Sequence, residues 1–78
     1  MMDNVEIAKT QLEIVRLRNL ARWQRDDHAA AYIRQAAHPI YAGQSEICLG
    51  KAAQSEGFAA ENEAKADLLE AKLESEIQ

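Results

Sequence analysis

GQSEICLGKAAQSEGFAAENEAKADLLEA, residues 43–71, is the stretch whose reading decides the fold. Every seventh residue in it is small: Gly43, Gly50, Gly57, Ala64, Ala71. A seven-residue recurrence keeps side chains on one face of a helix that supercoils slightly. Glycine inside a helix costs about 1 kcal/mol against alanine, so three on one face need an offsetting gain. Close helix packing at Gly43, Gly50 and Gly57 is one such gain. The competing reading is a break near Gly43 or Gly57 that sets off a third, short helix.

Outward from this stretch, the clear punctuation is His38-Pro39. Proline disfavours helix at the residue before it and fits the first turn of the next one. Residues 5–37 contain neither proline nor glycine. They read as one helix about 50 Å long, with Asp3 and Glu6 spaced as a capping box at its start. The expected architecture is all-α: a helix over 4–37, a turn at 38–39, and a helix over 40–76 that begins at Ile40 or Ser45. Ser45 is a candidate N-cap if Gly43 is a turn. Folded at the proline, the helices run antiparallel, with residue i opposite roughly residue 77 − i. Leu20 then meets Gly57, Ile14 meets Ala64, and Ile7 meets Leu69. Bulky residues thus face small ones, as close packing requires.

The first helix is apolar on two faces. One holds Ile7, Ile14, Leu17, Leu20, Ala21 and Ala31; the other holds Val5, Ala8, Leu12, Val15, Trp23, Ala30 and Ile33. A helix of that kind needs two partners, and a short chain supplies one. The face with Leu12, Val15, Trp23 and Ile33 therefore invites a second copy or another protein, and two hairpins would make a dimeric four-helix bundle.

Length and composition set the bounds. The chain has 78 residues, a single small domain, and 47% of them are hydrophobic. Fifteen of the hydrophobic residues are alanine, which buries little area, so one copy builds only a thin core. A net charge of −4 argues against general nucleic-acid or anionic-membrane binding. No apolar run approaches a membrane span and no signal-peptide pattern opens the chain. One cysteine, Cys48, excludes an internal disulfide framework and fits a reducing, cytoplasmic setting.

Few residues suggest chemistry. His28, His38, Cys48 and the Asp26-Asp27 pair are the candidate ligands beside scattered glutamates, and none has metal-site spacing. Cys48 has only Lys51 as a nearby basic partner and reads as a buried small side chain. His28 shares a face with Ile14, Leu17 and Gln24 and reads as a hydrogen-bonded seam residue that sets register. Neither an enzyme, a cofactor nor a metal is expected.

The strongest polar feature is the run from Arg16 to Arg25, in which Arg18, Arg22 and Arg25 share a strip beside Trp23. Paired with the acidic second half, that strip is a solvated face; unpaired, it suits a protein partner or nucleic-acid phosphates. The expected function is a non-enzymatic interaction module that self-associates and binds another protein as an inhibitor or adaptor. Virus-encoded proteins of that type are often of this size and make-up. Its expected contact residues are Arg18, Arg22, Trp23, Arg25, Tyr32 and Tyr41. The alternatives are a nucleic-acid-associated protein using Arg18, Arg22 and Arg25, and a structural subunit of a larger helical assembly.

Overall fold

The computed structural model describes residues 1–77, and side chains through residue 76. Helix α1 spans Asn4–Trp23 and continues through a π-helical segment, Gln24–Ala29, into α2, Ala30–Ala37. His38 breaks the helix, a 3-10 segment covers Pro39–Gln44, and α3 runs over Ser45–Ile77. The two arms pack against each other as a hairpin whose Cα trace measures 56 × 14 × 12 Å.

Local chemistry accounts for the boundaries. Asp3 caps α1, its carboxylate accepting from the Glu6 amide at 2.8 Å. At the other end His38 is extended, at φ −81° and ψ 133°, as the residue before a proline should be. Its ring Nδ1 accepts from the Ile40 amide at 3.2 Å. The first arm thus covers the expected 4–37. The second begins at Ser45, behind the 3-10 turn that contains Gly43, and passes unbroken through Gly50 and Gly57. Ser45 is not an N-cap: its hydroxyl donates across the hairpin to the Ala36 carbonyl at 2.8 Å.

The glycines are not the contact between the arms. A Cβ built on Gly43, Gly50 or Gly57 meets nothing within 4 Å. The residues of α3 that face the first arm are Ser45, Cys48, Ala52, Ser55, Ala59, Asn62, Ala66, Leu69 and Leu73, all buried or half-buried. Their steps alternate between three and four, the knobs-into-holes spacing. Period seven is therefore real, but its inward phase lies two residues beyond the glycines. An exposed helical glycine gains nothing from its missing side chain. Gly50→Ala is accordingly expected to raise unfolding free energy by up to about 1 kcal/mol, with Gly50→Val near neutral. Chemical denaturation checks both, and strong destabilisation by valine would overturn this placement.

The register also differs from expectation. Ile14 packs with Ala66 and Leu73, and Ser45 bonds to Ala36, so residue i lies opposite about residue 80 − i. The reason is the 3-10 segment, which lengthens the turn from two residues to the seven of His38–Gln44.

On the first arm the inward row is Ile7, Ile14, Ala21, then Ala29 and Ala36. The step from Ala21 to Ala29 is eight, and both are fully buried. A π turn absorbs one extra residue and so keeps both halves of the arm facing α3. Among the described residues most of the buried positions are alanines, and no large side chain is fully buried. An aliphatic cluster, Ile14 and Leu73 with Met2, Ile7, Leu17 and Leu69 around them, sits near the termini.

Candidate interaction surface

A polar layer crosses the hairpin at the π segment. The Ser55 hydroxyl, buried at 3% exposure, donates to the Gln24 carbonyl at 2.8 Å. Its oxygen lies 3.1 Å from His28 Nδ1. A hydroxyl has one hydrogen, and the Gln24 carbonyl takes it. The contact to His28 therefore needs its proton on Nδ1, which leaves Nε2 without a protein partner among the described residues. Asn62 completes the layer, its amide donating to Gln24 Oε1 at 2.9 Å. His28 is thus a hydrogen-bonded seam residue, as its position in the sequence suggested, and Gln24 is a second.

Aromatic rings surround this layer. Trp23 stacks on His28 with centroids 4.9 Å apart and planes at 11°. Tyr32 meets the same imidazole edge-on at 5.1 Å, and the Lys51 ammonium stands 5.6 Å from the Tyr32 ring. Cys48 is buried one layer nearer the turn, its thiol 3.9 Å from Gln35 Oε1.

One flank of the hairpin is closed by charge. Arg18 bonds Glu63 at 2.8 Å, Asp67 at 3.1 Å and Glu70. Hydrogen bonds to Asp67 and Glu70 raise the Arg18 guanidinium above its ordinary value, so it stays charged throughout. Arg25 reaches Glu63 at 3.7 Å, and Arg16 bonds Glu13 on its own helix at 2.9 Å. The arginine strip is therefore largely engaged by the acidic second arm. Arg22 is exposed with no ion pair among the described residues.

The expected contact residues do not form one patch. Trp23 and Tyr32 meet through His28. Arg18 and Arg25 belong to the ionic flank. Tyr41 packs on His38 at the turn, 6.2 Å between centroids. The four residues expected to self-associate are all exposed, at 62% for Leu12, 52% for Val15, 48% for Trp23 and 47% for Ile33, but they do not share a face. Leu12 and Val15 point away from α3. Trp23 turns toward His28. Ile33 lies past the π segment, four residues after inward-facing Ala29, as Arg18 lies four after Ile14. It therefore falls on the ionic side. What sequence reasoning missed is Phe58, 46% exposed, and Leu68, 73% exposed. Counting sevens back from Leu73 would have placed both beside the seam.

Among the described residues no group of three His, Cys, Asp or Glu could hold a metal ion. No helix among them is long and apolar enough to cross a membrane. The chain matches no protein-family model, no curated protein and no solved structure.

Proposed function

We propose that this chain is a non-enzymatic helical interaction module that binds another protein as an inhibitor or adaptor. In this reading it acts in the cytoplasm as a two-fold dimer, two hairpins forming a four-helix bundle. The observation that carries it is the inversion of the usual core: no large side chain among the described residues is fully buried, while Leu12, Val15, Trp23, Phe58 and Leu68 stand in solvent. Exposed apolar area on this scale marks surfaces that meet other molecules. Val5, Ala8, Leu12 and Val15 form a stripe on the side of α1 away from α3, the arrangement a helix presents to a partner's groove. The buried thiol of Cys48 and the absence of any other cysteine suit a reducing compartment. The nucleic-acid reading has less support, because Arg18 and Arg25 are already paired with carboxylates.

The test compares two baits in source-cell lysate, the wild type and Leu12→Glu combined with Val15→Glu. A protein captured by the first and lost by the second is then purified and titrated calorimetrically against both. Saturable binding to the wild type, weakened at least tenfold by the double change, is expected. Identical capture by both baits, or no binding of the purified protein, overturns the proposal. Steep, salt-sensitive binding to DNA or RNA would favour the alternative instead.

A further inference from the structure

We infer that a second copy of this chain docks along the flank opposite the Arg18 cluster, centred on Leu20, Trp23 and Phe58. The inference rests on the dimer in the reading above and adds its surface and geometry. The two flanks of the hairpin differ in kind. Residues four after the inward row, Arg18 and Arg25 on α1 and its continuation and Glu63 and Glu70 on α3, close one side with ion pairs. Residues one before the inward row lie on the other side. Between the termini and the π segment these are Glu6, Glu13 and Leu20 on the first arm and, opposite them, Lys72, Lys65 and Phe58 on α3.

That second flank is open. Glu13, Leu17, Lys65, Leu68 and Leu69 line a groove there, and a neighbouring one reaches Leu20. Leu17 and Leu69 belong to the seam, so the apolar core itself runs out to solvent on this side. Leu20 is 44% exposed, Trp23 48% and Phe58 46%.

Charge order and area both point to a second copy as the occupant. Antiparallel pairing sets Glu6 across from Lys72, Glu13 from Lys65 and Leu20 from Phe58, so this row is acidic along one arm and basic along the other, while Arg16, which lines the same flank, bonds Glu13 on its own helix. A two-fold axis along the rod lays the first arm of one copy on α3 of the other, antiparallel and at the same height. Glu6 then meets Lys72, Glu13 meets Lys65, and Leu20 and Trp23 meet Phe58, each twice. A surface that is its own complement under two-fold rotation is what an isologous interface requires. The rod also exposes 5710 Å² for a mass of 8.7 kDa, roughly 1,000 Å² more than a compact chain of that mass. An interface of standard size removes about 800 Å² from each partner, most of that excess.

Light scattering coupled to gel filtration, on the purified chain at micromolar concentration, tests this without any other protein. The wild type is expected at twice the chain mass, as is the Leu12→Glu, Val15→Glu variant. Leu20→Glu with Phe58→Glu is expected at the single-chain mass with its helical circular dichroism retained. Should that variant unfold, charge reversal decides. Glu6→Lys with Glu13→Lys in one chain, and Lys65→Glu with Lys72→Glu in another, should each run as single chains alone. Mixed in equal amounts they should form a species of twice the mass. Reversed chains that dimerise alone, or fail to combine, overturn the inference, as does loss of the dimer in the Leu12, Val15 variant. A folded wild-type monomer also overturns it, while leaving the capture experiment to decide whether another protein is bound.

Discussion

Ile14→Ala is expected to lower the unfolding free energy by about 2–5 kcal/mol. Ile14 is 8% exposed and packs on Ala66 and Leu73, with Met2, Ile7, Leu17 and Leu69 around it. Its alanine neighbour has no side chain long enough to fill the space it would leave, so the cavity term is felt in full. A domain of 78 residues has about 4–12 kcal/mol of stability in total, at 0.05–0.15 per residue. One truncation therefore removes a large fraction of it. Val15→Ala, next in sequence but 52% exposed on the side away from α3, should stay within about 0.5 kcal/mol. Equal effects from the two changes in urea denaturation would show that the inward face of α1 is misplaced.

Ser55→Ala is expected to have the second largest effect. The hydroxyl it removes is the shared partner of the Gln24 carbonyl and of His28 Nδ1. A buried polar group left unpaired costs about 1–3 kcal/mol, and two groups lose their partner here. Ser75→Ala, on an exposed position of the same helix, is the control and should be close to neutral. In a double-mutant cycle with His28→Leu the losses should fall short of additive by about 0.5–3 kcal/mol, because both act on one contact. Nitrogen chemical shifts of the His28 ring supply an independent reading, since the geometry places the proton on Nδ1. A proton on Nε2 instead, with additive losses, would leave the layer without its hydrogen-bond account.

Both effects come from residues whose roles were unevenly legible in the sequence. Ile14 was legible because it sits in an aliphatic row at helical spacing, and His38-Pro39 because proline chemistry is local. The seam role of His28 followed from sharing a face with Ile14 and Leu17. The glycine ladder misled because periodicity reports a face but not which way it points. Gly43, Gly50 and Gly57 stood out for being rare, whereas the true inward row is Ser45, Ala52, Ala59 and Ala66, residues with little hydrophobic contrast to their neighbours. Only Leu69 and Leu73 carry the phase strongly. The π segment was hidden for a different reason: helix propensity is blind to one inserted residue. Its trace is the eight-residue step from Ala21 to Ala29, visible once alanines are treated as core. The register error followed from taking the turn as two residues, since nothing in Ile40–Gln44 forbids an ordinary helix.

The hairpin's ladder of cross-contacts has a kinetic consequence. Sequence separation climbs in steps from the turn outward: 9 for Ser45 with Ala36, 13 for Cys48 with Gln35, 27 for Ser55 with His28, 45 for Arg18 with Glu63 and 74 for Met2 with Glu76. Each doubling of a closing loop costs only about 0.6 kcal/mol, and each layer once formed shortens the loop for the next. Folding is therefore expected to zip from Pro39 toward the termini, and unfolding to begin where the termini meet. The packed large aliphatic residues, Ile14, Leu17, Leu69 and Leu73, lie at that late-closing end, beyond the polar layer. Closure there releases the most apolar surface from water in the final steps, so the barrier to opening is built mainly from contacts made last. Pulsed hydrogen exchange during refolding should protect the amides of residues 30–37 and 45–55 before those of residues 7–17, and simultaneous protection would contradict the zipper.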